Sequence, residues 1–210
     1  KLTYDEIRIV IPDDLDKKFQ EFILQICKIL EIKEVIFFKI KTNNLIHSFE
    51  NLIFTSRPNI EFTSSFFHKL LSSTIKKEGE RNLYVMRGNT INRKVLNETD
   101  LIKFLQKYNY DIIDCATLSI EDQIKQFSEA KNIIIPSGAA MTNLLFSPDG
   151  INVVEIRSNL DGNFSRKINL NNRFNLYLFE KTIKVGQNLR KDIFVDIPAI
   201  KQLVEDKKIF

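Results

Sequence analysis

Three stretches of this chain carry residue types that can bind a ligand bearing phosphates and hydroxyls. Met86-Arg87-Gly88-Asn89-Thr90-Ile91-Asn92-Arg93 directly follows an apolar run. An arginine stays charged and presents a fork of donors that matches phosphate oxygens. Arg87 at a strand end is therefore placed for a diphosphate, with Arg93 as a second contact; the competing reading is two solvent-facing loop arginines. Ile135-Pro136-Ser137-Gly138-Ala139-Ala140-Met141-Thr142-Asn143 is the second stretch. Its small residues, Ser137, Gly138, Ala139 and Ala140, permit close backbone approach, and the loop opens a helix that runs through Asn143. The free amides of a helix start favour an anion, although any tight strand-to-helix turn looks similar. Third, Val153-Val154-Glu155-Ile156-Arg157 puts a carboxylate in an apolar strand, where it needs a partner. Glu155 can accept from ribose hydroxyls or from the backbone of the Ser137 loop, or it can pair structurally with Arg157 or Arg87.

A general base is harder to choose. Glu98 lies nearest to these stretches, and a first-turn carboxylate that favours the helix dipole is the equal alternative. His47 lies in a polar turn and His68 on a Phe-rich helix, and neither reads as catalytic. Cys27 and Cys115 sit in apolar runs as free thiols, which fits a reducing compartment. No zinc-ligand spacing exists, so no metal site is expected.

Elements that could position these residues are legible in the apolar periodicity. Ile7–Ile11 reads as a strand closed by Pro12, followed by a helix over Leu15–Leu30 begun by Asp13 and Asp14, and by a strand over Glu34–Ile40. A short strand at Leu52–Thr55 and a Phe-rich helix over 62–75 come next, before the charged linker 76–81. Beyond it the rhythm is regular. Strands at Asn82–Met86, Asp111–Cys115, Asn132–Ile135 and Asn152–Ile156 are separated by helices at Glu98–Lys107, Ile120–Glu129 and Ala139–Phe146. Asn97 and Ser119 read as N-caps, with Asp100 and Asp122 three residues on. Such alternation of apolar strands with helices implies a parallel sheet covered on both faces. In an open parallel sheet, ligands bind beyond the carboxyl ends of the strands, where all three stretches fall. A strand near Leu176–Glu180 and a helix capped by Asp196, with Pro198 in its first turn, complete the chain.

The 210 residues, 43% of them hydrophobic, suffice for one or two small domains. A net charge of +4 without a basic stripe argues against a nucleic-acid reader and allows only weak peripheral attraction to anionic lipid. No apolar run approaches the length of a membrane span, and no signal peptide is visible. Abundant Phe, Ile, Asn and Lys suggest an AT-rich bacterial genome.

Several blocks in order carry a resemblance. Arg87, Arg93 and Asn97-Glu98 are followed by Leu118-Ser119-Ile120-Glu121-Asp122-Gln123-Ile124 and Phe127-Ser128-Glu129-Ala130. After these come Gly138-Ala139-Ala140-Met141-Thr142-Asn143-Leu144-Leu145-Phe146 and Val153-Val154-Glu155-Ile156. Their order and spacing resemble glycosyltransferases of family 61. The resemblance implies a GT-B-like α/β architecture, in which a Rossmann-like parallel sheet with helices on both faces is preceded by a smaller α/β half. Here these would be residues 79–210, which bind the nucleotide sugar, and residues 1–78, a minimal or truncated acceptor-side half. It implies inverting transfer of a sugar from a nucleotide-sugar donor to a hydroxyl of a glycan or lipid-linked glycan. For the bacterial kind, favoured by the free thiols, the acceptor belongs to capsule, lipopolysaccharide or related surface glycan and the enzyme is cytoplasmic. No cofactor or metal is required, because protein groups hold the diphosphate. Arg87, Arg93, the Ser137–Asn143 loop and Glu155 become donor-site residues. One departure stands out. Family members usually place a histidine before the Gly-Ala pair, and this chain has Ser137. That substitution supports the alternative, a non-catalytic glycosyltransferase-like binding module in a larger glycan-assembly complex.

Overall fold

The computed structural model describes residues 6–29, 32–41, 78–88, 93–157, 169, 173–185 and 192–210. The chain divides into two compact units, Lys1–Arg57 and Pro58–Phe210. The strand expected at 52–55, the Phe-rich helix at 62–75, and both histidines lie outside the described residues.

In the first unit, β1 (Glu6–Pro12) and β2 (Glu34–Ile40) pair in parallel through the connecting helix α1 (Lys17–Ile29). Parallel neighbours need such a crossover, since a tight turn reverses direction. Proline lacks an N–H and ends β1. Asp13 and Asp14, expected to begin the helix, instead form the turn after β1, where the Asp13 amide donates to Ile40 O at 2.9 Å. Ile11 and Cys27 are buried in this unit.

The second unit is built on a five-stranded, all-parallel sheet of β3 (Arg81–Val85), β4 (Tyr110–Ile113), β5 (Ala130–Pro136), β6 (Asn152–Ile156) and β7 (Asn175–Phe179). Their spatial order is β4-β3-β5-β6-β7. The chain leaves β3 through α2 (Glu98–Gln106) to β4, then returns through α3 (Ile120–Ser128) past β3 to β5. Because parallel crossovers are right-handed, this reversal sends α2 and α3 to opposite faces. It also creates a topological switch point between β3 and β5, the place where open α/β sheets bind ligands.

Strand alternation sorts the core. Tyr84, Ile134, Val154, Ile156 and Phe179 face α2, burying Leu101 and Leu105, and the same core takes in Ile200 and Val204 of α4 (Ile197–Asp206). The alternate positions Leu83, Val85, Ile133, Ile135 and Val153 are equally buried on the other face. The sheet is thus covered on both sides, as the continuous apolar strands require.

Register is fixed at the amino ends of the strands by a row of asparagines. Asn132 Nδ2 donates to Asn82 Oδ1 at 2.8 Å, Asn152 Nδ2 to Asn132 Oδ1 at 2.7 Å, and Asn175 Nδ2 to Asn152 Oδ1 at 3.1 Å. These four residues are in-register neighbours across β3, β5, β6 and β7. A one-residue slip of any strand would turn its asparagine to the other face and break the row.

Of the three N-caps expected at Asn97, Ser119 and Asp196, one differs in the structure. Ser119 caps α3 as expected, accepting from the Asp122 amide at 3.0 Å. Asn97 makes no side-chain cap to α2. Instead its amide donates to Val195 O at 2.8 Å and its carbonyl accepts from Val195 N at 2.9 Å. A carboxamide carries a donor and an acceptor side by side, so it can match both backbone groups of one strand residue. That strand residue belongs to an antiparallel pair not anticipated from sequence, β8 (Thr182–Val185) and β9 (Asp192–Val195). The last helix, α4, is capped as expected, with Asp196 accepting from the Ala199 amide at 3.0 Å.

Candidate functional site

The carboxyl end of β3 runs into Met86 and Arg87, and that of β5 into Ser137 and Gly138. These two strands are neighbours at the switch point, so residues 50 apart in sequence meet there. Arg87 Nη1 donates to the Ser137 carbonyl at 3.2 Å. Gly138 has extended backbone (φ 170°), which any residue can adopt, so its glycine is explained by space. A Cβ at this position would strike the Arg87 guanidinium. Ser137 is buried, and its amide continues the sheet by donating to Ile156 O at 2.8 Å.

Glu98 fastens the other side of the arginine. Its Oε1 accepts from the Arg87 backbone amide at 2.9 Å and from the Tyr84 hydroxyl at 2.8 Å. Burial, with the nearby Glu98 carboxylate, pushes the Tyr84 hydroxyl well above its ordinary range, so it remains a donor. One carboxylate oxygen therefore holds the turn after β3 against the first turn of α2. Gly88 follows with φ 61°, in the left-handed region that favours glycine, and a Cβ there would meet the Asp114 carboxylate at 2.7 Å.

Past Gly138 the expected helix is present as a 3-10 helix, Ala139–Phe146. Its first closing bond runs from the Met141 amide to Gly138 O at 3.1 Å. The Ala139 and Ala140 amides precede it, at the end of the helix where donors lack intrahelical acceptors. Asn143 is buried and turned toward α3: its Nδ2 donates to Gln123 Oε1 at 2.7 Å and contacts Cys115 Sγ at 3.5 Å. Gln123 in turn donates to Cys115 O at 3.0 Å and Leu118 O at 3.2 Å. This buried chain was not foreseen beyond the Asn143 position itself, and it anchors the loop that carries Ser137 and Gly138. Cys115 is a free thiol pushed up to about 11, mainly by burial.

Glu155 is fully buried in β6, in register with Ile135, two residues before Ser137. Arg157 is also buried and faces Glu180, with Nε 3.5 Å from Oε1. Burial of the Glu155 carboxylate favours the readings in which protein groups satisfy it. Arg93 adopts a left-handed φ of 59° at the end of the 89–92 stretch, which lies outside the described residues. Arg87, Glu98, Ser137 and Gly138 thus form one contiguous group, while Glu155 lies buried in the neighbouring strand β6.

Among the described residues, no group of three or more His, Cys, Asp or Glu could hold a metal ion. Among them, too, no helix is long and apolar enough to cross a membrane. A cavity of about 490 Å³ in this unit lies between the start of α2, the β8–β9 pair and the start of α4, and none of Arg87, Glu98, Ser137 and Gly138 lines it.

No curated protein matches the chain. The family description Glycosyltransferase 61 matches residues 8–154, from β1 to β6, and so spans every element from the first strand to the switch point. With that match over most of its length, the chain belongs to glycosyltransferase family 61.

Proposed function

We propose that this protein transfers a sugar, with inversion, from a nucleotide-sugar donor to a hydroxyl of a bacterial capsule, lipopolysaccharide or related surface glycan. The observation that carries the donor half is the Arg87 guanidinium seated over Gly138 at the switch point, beside the opening of the 3-10 helix. A fixed cation next to helix-start amides is suited to a diphosphate leaving group. Charge that develops as the sugar departs is stabilised by donors already in place. Arg87, Arg93, the Ser137 hydroxyl and the amides of Gly138, Ala139 and Ala140 supply these contacts, while Asn143 and Glu155 hold the surrounding elements in place. The two compact units serve as the two halves of a GT-B enzyme; the β-α-β pair of the first and the switched parallel sheet of the second are consistent with that assignment. Protein groups alone neutralise the diphosphate, so turnover needs no metal. Free Cys27 and Cys115 support a cytoplasmic setting, with loose attachment to the inner membrane surface through the small positive net charge.

Ser137 favours a second reading, a binding module without turnover, because the family's usual histidine is missing. Geometry weakens that objection: Arg87 touches the carbonyl of Ser137, a group every residue has. Incubating the protein with sugar nucleotides and measuring nucleoside diphosphate release tests the choice. Release that requires Arg87 supports the transferase; inactivity of the wild type with all common donors and acceptors supports the module.

A further inference from the structure

The 490 Å³ cavity is built largely from parts beyond the family-matched region: Glu180 to Ile183, and Phe194 to Pro198. Asn97 and Asp100 close its remaining side. Its size is that of a small-molecule site. Alternation along β9 explains its lining. Ile193 and Val195 point into the core, whereas Phe194 points outward and is 45% exposed. Ile183, directly opposite Phe194 in the antiparallel pair, is 67% exposed. The hairpin therefore presents two neighbouring apolar side chains on a wall of the cavity. Around them stand three carboxylates, Asp100, Glu180 and Asp196, against the single ammonium of Lys181.

That charge balance repels a diphosphate, so the cavity is unsuited to the donor. An apolar platform ringed by hydrogen-bond acceptors suits a sugar, whose ring has a C–H face and a rim of hydroxyl donors. Its position fits as well. Asn97 adjoins Glu98, which holds Arg87, and Glu180 pairs with Arg157 at the end of β6. We propose that this cavity is a separate carbohydrate subsite of the second unit, which binds a neutral or amino-bearing sugar by stacking on Phe194 and hydrogen bonding to Asp100 and Glu180. The proposal goes beyond the transferase reading by adding a sugar site outside the donor group and the class of sugar that it takes.

The test uses the full chain, wild type and the variants Phe194→Ala and Asp100→Asn, with maltotriose, chitotriose and a glucosamine trimer as sugar probes and nucleoside diphosphates as the donor probe. Binding is followed by NMR shifts of the protein, with folding checked by thermal melting. At least one sugar should bind at millimolar concentration and weaken about tenfold or more in both variants, a loss of roughly 1.4 kcal/mol. Diphosphate affinity should change less than about twofold, since neither residue belongs to the donor group. No sugar binding up to about 10 mM, or sugar binding indifferent to both variants, overturns the proposal. Loss of diphosphate binding in Phe194→Ala overturns it too, by making the cavity part of the donor site. Variant-sensitive sugar binding by a protein that binds no diphosphate supports the sugar site while removing the transferase reading.

Discussion

The guanidinium of Arg87 lies over Gly138 and donates to the Ser137 carbonyl at 3.2 Å, joining the two strands where the sheet reverses its order. Glycine is needed there only to leave room for the arginine, because φ at Gly138 is extended. Gly138→Ala should therefore push the flexible guanidinium aside without straining the fold. We expect a stability change below about 1 kcal/mol and nucleoside diphosphate affinity lowered about tenfold. Paired melting and binding measurements check this; a large loss of stability would mean that the backbone, not Arg87, yields.

Glu98 separates two roles by one substitution. Its Oε1 already accepts from Tyr84 and from the Arg87 amide, and a glutamine oxygen can do the same. Glu98→Gln should keep turnover within about threefold if the residue holds the turn in place, whereas Glu98→Ala should lose about tenfold or more through displacement of Arg87. A loss of about 100-fold or more in the glutamine variant would instead assign Glu98 as the general base.

The asparagine row gives a stability test remote from the site. Asn132 is fully buried and bonded on both sides, to Asn82 and Asn152. Asn132→Ala strands a donor and an acceptor in the sheet and should cost about 2–4 kcal/mol, at one to two kcal/mol for each group left unsatisfied. Asn175, at the exposed end of the row, should cost under about 1 kcal/mol when changed to alanine. Denaturant melts of the two variants decide; equal losses would contradict the cooperative row.

Cys115 offers a pH-dependent readout. Burial raises its thiol from an ordinary 9.0 to about 11, and the thiolate is the reactive form. Alkylation at pH 8 should be roughly 100-fold slower in the native protein than after unfolding. Because the native value is raised, this thiol's contribution to stability is present below about pH 9 and is lost as pH rises through 11. Rapid native-state alkylation at neutral pH would contradict the half-buried, neutral thiol.

Much of this was legible in the chain. Leu83–Val85, Ile133–Ile135 and Val153–Val154 are continuous apolar runs between helical stripes, and the order of those runs implied a parallel sheet. Arg87 and Ser137 were identified because both follow such runs, and the structure brings them together. The strand order, however, depends on which crossover lies on which face, and no local pattern encodes that choice. Asn97 looked like a helix cap because the pattern before α2 fits one; its true partner is the backbone of Val195, 98 residues away. The β8–β9 pair escaped notice because each strand is four residues long and gains its stability from the core under Ile193 and Val195. For the same reason, nothing local marked Phe194 as the outward member of its strand.

The central claim is that Arg87 stabilises a departing diphosphate. Its most direct test is the rate of sugar-nucleotide turnover by wild type, Arg87→Ala and Ser137→Ala under one set of conditions. Removing the guanidinium should lower turnover by about two orders of magnitude. Ser137→Ala retains the carbonyl that Arg87 uses and should stay within about tenfold of wild type, a loss no larger than one neutral hydrogen bond. Measurable wild-type turnover that is unchanged in Arg87→Ala would contradict the account.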